Sequence, residues 1–256
     1  MQDVTPEAIR ENLVAQPQNC EGWLQYGLAL HAQGRLAEAR EAFSRGLSVN
    51  PFHVQLRQQR GRKFMASHFW QAVSDFTLVT RLEPSFWEAW YYMGVAYAVH
   101  GEDAEANRCF TRCLQEARAA GDSLVPVVDW LYTTRVRLGD ENGAREALSH
   151  AEIAAANPED EDYSYARRLL LYKGMLGEDD FFDEAVLRQR GTYEIDYVTQ
   201  AYGLAFHRMS GGKRQEAVAL LKDIVSHDQY PTAFAWLMAN RDLKEQGIEI
   251  RPEVNS

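Results

Sequence analysis

Residues 22–51 read GWLQYGLALHAQGRLAEAREAFSRGLSVNP, and the spacing inside that stretch decides the fold. Trp23, Gly27, Leu30, Gly34, Ala39 and Phe43 recur at the same separations as Trp90, Gly94, Tyr97, Gly101, Ala106 and Phe110. Ala39, Phe43 and Pro51 recur as Ala72, Phe76 and Pro84. Apolar residues fall three or four apart and never alternate, which argues for amphipathic helices and against strands. Trp23, Tyr26, Gly27 and Leu30 share one face of a first helix. Gly27 lets a second helix approach, Ala39 offers it a small surface, and Phe43 fills the space between them. Gly34 takes the turn, where a left-handed residue is easiest for glycine, and Pro51 stops the second helix after Asn50. One such pair cannot bury both its faces, so neighbouring pairs must stack.

A repeat of about 34 residues with tryptophan, glycine, alanine, phenylalanine and proline in this order resembles the tetratricopeptide repeat. The resemblance implies an all-α, right-handed α-solenoid of helix-turn-helix repeats. Six repeats are expected near residues 20–53, 54–86, 87–121, 124–158, 163–190 and 195–231, with a closing helix over 232–247, as one domain spanning 1–256. The second repeat departs from the pattern. Arg57 and Arg60 stand in the slots of Trp23 and Tyr26, and Gly61 to Ala72 is one residue short, which tightens the turn around His68. The second helix of the third repeat is expected to run on through Cys113, Leu114 and Ala117 towards Gly121. That of the fifth is cut short near Gly191. A lone closing helix with a polar outer side (Arg241, Asp242, Lys244, Glu245) suits a terminal repeat, which must cover an otherwise exposed core. A helix from Thr5 or Pro6 to Ala15 can do the same at the other end.

The chain of 256 residues is 46% hydrophobic and 25% charged, as expected of a soluble globular protein. Its net charge of -10 is uneven. Residues 1–100 hold nine acids and nine bases, residues 101–200 hold 21 and 11, and the remainder holds seven of each. That acidity repels phosphates, so no nucleic-acid partner is expected; Arg57, Arg60, Arg62 and Lys63 form the local exception. Cys20, Cys109 and Cys113 make an odd count with no disulfide framework, which suits a reducing compartment. Cys109 and Cys113 are one helical turn apart but have no histidine near them to complete a metal site, and packing is the expected role. Seven histidines are scattered, and no phosphate-cradling loop, nucleophile elbow or dinucleotide fingerprint occurs. The chain reads as a non-enzyme without cofactor or metal. The N-terminal stretch lacks an apolar signal region, no run approaches the length needed to span a bilayer, and a cytoplasmic address is expected.

What remains is recognition. The resemblance implies that the first helix of each repeat lines a concave groove through its second, fifth, ninth and twelfth positions. The candidate partner-binding residues are Gln55, Gln58, Arg62 and Met65, then Tyr91, Val95 and the adjacent Tyr92, then Asp129 and Thr133, and finally Gln200 and His207. Rigid aromatic surface, amides and one strong cation suit a peptide or a helical segment of another protein. The terminal-carboxylate clamp of some family members is absent as such, because its slots hold Leu24, Leu28, Gln58 and Arg62. The expected function is a protein-interaction scaffold or adaptor. The alternative is self-association through the ends or the convex side, which would make the chain a homo-oligomer without a separate peptide ligand.

Overall fold

The computed structural model describes residues 5–227 and 229–249, and among them it holds fourteen helices and no strand. The fold is all-α and of the helical-repeat solenoid class. The chain forms two compact units, one reaching Ala96 and the other starting at Tyr97, and each is described by itself.

The first unit contains α1 (Pro6–Ala15), α2 (Cys20–Ala32), α3 (Leu36–Val49), α4 (Val54–Phe64), α5 (Phe69–Leu82) and most of α6 (Trp87–Val99). Thr5 caps α1 with proline at its first position, and Asn19 caps α2 by accepting from the Gly22 N–H at 2.9 Å. The α2–α3 turn is closed by Gly34 at φ +74. The pair then meets at Gly27, where an added Cβ would lie 2.2 Å from the Phe43 ring. Only glycine permits that approach, and it leaves Phe43 fully buried against Leu24, Leu30 and Ala39.

The repeat's tryptophan does a second job. Trp23 Nε1 donates to the Pro17 carbonyl at 2.9 Å, and Trp90 Nε1 donates to the Pro84 carbonyl at 2.9 Å. Each bond ties a first helix to the proline six residues before it. In the second repeat Arg57 occupies the tryptophan slot, and its Nε donates to the Pro51 carbonyl at 2.6 Å. The substitution keeps the donor and adds a charge. That charge is met by Asp75, which stands where the first repeat has Ala42 and is buried. Arg57 reaches Asp75 at 2.7 Å and Arg60 reaches it at 2.8 Å. The anomalous arginines and the aspartate are therefore one exchange, a buried charge cluster in place of aromatic packing.

The second unit contains the end of α6, α7 (Asp103–Ala120), α8 (Val125–Arg137), α9 (Glu141–Ser149), α10 (Tyr163–Tyr172), α11 (Glu184–Gln189), α12 (Tyr193–Ser210), α13 (Arg214–Ser226) and α14 (Phe234–Glu245). As expected, α7 runs on to a left-handed Gly121 and α11 stops just before Gly191. The fourth repeat is shorter than its sequence suggests. Its second helix ends at Ser149 rather than reaching towards Pro158, and residues 150–162 form turns. Ala151 is nonetheless buried, and its carbonyl accepts from Lys173 Nζ.

Helix α14 departs from expectation most clearly. Lys244 and Glu245 are exposed, but Arg241 and Asp242 turn inward. Asp242 accepts from Arg137 of α8 at 2.6 and 2.7 Å and from the Tyr202 hydroxyl of α12 at 3.0 Å. Arg241 donates to both carboxylate oxygens of Asp103 at 2.8 and 2.6 Å and to the Ala98 carbonyl. Phe234 meets Trp130 of α8 edge-on at 6.3 Å. A helix read as a cap over the last pair therefore also ties to α7 and α8, through partners more than 100 residues away in sequence.

Candidate functional site

In the first unit the candidate face is carried by α4 and α6. Gln55 and Arg62 are exposed and Tyr92 is half-buried. The Arg62 guanidinium lies 4.6 Å from the centre of the Tyr92 ring, which itself stacks on Phe76 at 6.2 Å. Arg62 is therefore presented from a rigid aromatic support, a geometry that retains its donors for an acceptor outside the protein. Among the described residues no carboxylate pairs with it. Lys63, beside it, sits with its Nζ 3.0 Å from His31 Nε2. Burial, and then the neighbouring Arg62 charge, pull the Lys63 ammonium down to about 8. His31 is likewise lowered, by burial first and then by Lys63 and Arg62. Of the basic cluster read from the sequence, Arg57 and Arg60 are taken up by Asp75, so the accessible positive charge is that of Arg62 and Lys63.

The other candidates in this unit are not surface. Gln58, Met65, Tyr91 and Val95 are buried, and Tyr91 packs edge-on against Trp87 at 6.4 Å and Tyr92 at 5.3 Å. Position within a helix set their assignment, whereas adjoining repeats pack closely enough to cover those slots.

In the second unit the correction goes further. Asp129, Thr133 and Gln200 are all buried. Asp129 holds Arg168 of α10 at 2.7 Å, and both side chains are almost entirely withdrawn from solvent. Arg168 lies between the rings of Tyr165 at 5.1 Å and Tyr202 at 5.4 Å. It fits because position 203 is glycine, where a Cβ would fall 2.3 Å from Arg168 Cγ. Burial lifts the Asp129 carboxyl to about 7, against the opposing pull of Arg168. Thr133 bonds back to the Asp129 carbonyl at 3.0 Å, and Gln200 Nε2 donates to Ser164 Oγ at 3.2 Å. These polar groups pair with other residues inside the unit. His207 is half-buried, stacks on Tyr172 at 6.5 Å, and has its pKa lowered by burial. No local signal marked Arg168 or Asp242, because each partner lies on a different helix.

Cys109 and Cys113 are buried, and burial pushes the Cys109 thiol up to about 12, which removes its reactivity at neutral pH. Among the described residues no group of three metal-ligating side chains occurs, and no helix is long and apolar enough to cross a membrane.

Residues 21–62 and 88–118 match models of the tetratricopeptide repeat. The chain carries tetratricopeptide repeats. A solved tetratricopeptide repeat protein from Parabacteroides merdae matches with a TM-score of 0.53 at 14% identity, covering 91% of this chain and 89% of that one. Cut9, in the Cut9–Hcn1 hetero-tetramer of APC/C, matches with a TM-score of 0.51 at 14% identity, covering 94% of this chain and 46% of the solved one. At such identity the likeness is one of fold. In sequence, human cilia- and flagella-associated protein 70 is 29% identical over 139 residues, 54% of this chain. The match spans only 12% of that protein's length. The tetratricopeptide repeats support a protein-interaction scaffold as the general kind of function.

Proposed function

We propose that this chain is an adaptor that binds an extended or helical segment of a partner protein on the first-helix face of its first unit. The observation that carries the reading is Arg62, exposed, mounted on Tyr92 and without an ion-pair partner among the described residues. An acidic group of the segment would take the guanidinium fork, while Gln55 and the Tyr92 ring would supply hydrogen bonding and rigid contact area. In the second unit Asp129 is taken by Arg168, and Thr133 and Gln200 are buried in the chain's own hydrogen bonds, which directs the partner to the first. The reading includes no catalytic step, no cofactor and a cytoplasmic address.

The test is a peptide selected on the intact protein from a library of linear segments. Its affinity and the protein's thermal midpoint are then measured for wild type and Arg62→Ala. Acidic residues should be enriched in the selected peptide. Arg62→Ala should weaken binding by about 2–4 kcal/mol, as expected when a desolvated charge loses its partner, and should leave the midpoint within a degree or two. Arg62→Lys should recover only part of the affinity, since an ammonium cannot reproduce the fork. Lost stability with unchanged affinity would remove Arg62 from the site.

A second reading, self-association, is favoured by one feature of the same unit. A cleft of about 490 Å³ opens between α1 and α3, with Leu13, Val14, Pro17, Trp23 and Tyr26 among its lining residues. Val14 is 80% exposed beside it. Sedimentation over a concentration series separates the two: a monomer throughout supports the adaptor, and a concentration-dependent dimer supports assembly.

A further inference from the structure

His31 stands in the last turn of α2, and Arg62 and Lys63 in the last turn of α4. They converge, with Lys63 Nζ 3.0 Å from His31 Nε2 and Arg62 beside them over Tyr92. We propose that these three side chains form a site for a phosphorylated side chain of the partner segment, and that filling it draws protons onto the protein. The proposal rests on the first-helix face of the first unit being the partner face.

The case is one of charge balance. On the packed helices, Glu38 of α3 is held by Arg35, Glu41 by Arg45, and Asp75 of α5 by both Arg57 and Arg60. Arg40 of α3 lies over the Phe64 ring at 6.0 Å, and Glu88 stands in the first turn of α6, one turn before Tyr92. The charges that bear on His31 are Lys63 and Arg62, and the charge that bears on Lys63 is Arg62. All have one sign. Burial first, and then the like charges beside them, push protons off, which is why Lys63 falls to about 8 and His31 below its usual range. The hydrogen bond between them fits a neutral imidazole accepting from the ammonium. A bound dianion reverses the situation and favours every proton the cluster can hold.

The number of donors selects the anion. A phosphoryl group offers three acceptor oxygens and nearly two charges. The Arg62 fork can take two oxygens and the Lys63 ammonium the third, with His31 adding a donor once protonated. A carboxylate offers two oxygens and one charge, and would leave Lys63 unmatched. A nucleic acid needs a track of cations along its backbone, whereas Arg57 and Arg60 are already spent on Asp75 and the chain as a whole carries -10.

The experiment is an NMR titration of the full chain with sodium sulfate at constant ionic strength, following the His31 imidazole and the Lys63 side chain. Sulfate keeps both charges throughout the range, so any pH dependence belongs to the protein. Saturable shifts of both residues are expected. Affinity should rise severalfold from pH 9 to pH 7 as Lys63 fills, and again below 6.5 as His31 does. Arg62→Gln should weaken sulfate at least tenfold without moving the thermal midpoint. A selected peptide carrying phosphoserine should bind at least tenfold tighter than the same peptide carrying glutamate. Absent saturation, or sulfate binding no better than acetate, would overturn the phosphoryl site. If a carboxylate peptide still depended on Arg62 in that case, the partner face would stand without it. Tighter binding of a single-stranded oligonucleotide than of the phosphopeptide would overturn the proposal as well. Loss of all Arg62 dependence, for sulfate and peptide alike, would end both readings.

Discussion

Replacing Arg168 with methionine should destabilise the protein by about 3–5 kcal/mol, the range for stripping one partner from a buried ion pair. The guanidinium and Asp129 are withdrawn from water together, and Tyr165, Tyr172 and Tyr202 enclose the cation. Methionine fills much of the same volume, so the loss is one of charge rather than of packing. It leaves Asp129 buried with no cation, and that carboxyl, already lifted to about 7 by burial, should rise further. The sign follows from linkage. The native mutant then holds a proton that its unfolded chain has released, so its stability falls as pH rises through a range where the wild type has finished titrating. The deficit should therefore grow above about pH 7 and shrink at pH 5. Adding Asp129→Leu should recover most of the loss, since an apolar pair of similar volume often matches or exceeds a buried ion pair. Denaturant unfolding of the three variants at both pH values checks this. A single-variant loss below about 1 kcal/mol, or one independent of pH, would mean that the pair does not carry the charge balance of the second unit.

Phe43→Ala in the first unit and Phe110→Ala in the second should each cost about 3–5 kcal/mol, the range for deleting a buried aromatic ring. Phe43 is fully buried and presses on Gly27, where there is no side chain to move into the space it leaves. Phe110 is fully buried and stacks on Trp130 at 5.6 Å. Neither cavity can easily collapse, because backbone on one side and a ring on the other hold it open. Thermal or denaturant midpoints check both. Shifts equivalent to less than about 1 kcal/mol would show that these phenylalanines do not fill the space between the paired helices.

The repeat residues were legible because their job is local. Gly27, Phe43 and Trp23 act within one helical pair, so their spacing alone specifies their contacts, and the helices from Pro6 to Glu245 largely follow the periods read from the chain. The same logic failed for the groove. Whether Gln58, Asp129 or Gln200 faces a partner or the interior depends on how closely the next helix packs, and on what that helix offers. Asp129 is inside because Arg168 waits there, on α10. Arg241 and Asp242 turn inward because Asp103 and Arg137 do, on α7 and α8. Nothing in the neighbouring sequence announces a partner that far away. Arg57 and Arg60 lie between these cases. Their departure from the tryptophan and tyrosine pattern was visible, and Asp75 in place of a small residue was the matching signal.

The most direct test of the adaptor reading is hydrogen exchange on the intact protein with and without the selected peptide. The account predicts added protection at the ends of α2 and α4, around His31 and Arg62, and across the Tyr92 turn of α6, with α8, α10 and α12 unchanged. Protection confined to α8, α10 and α12, with the first unit exchanging as before, would contradict it.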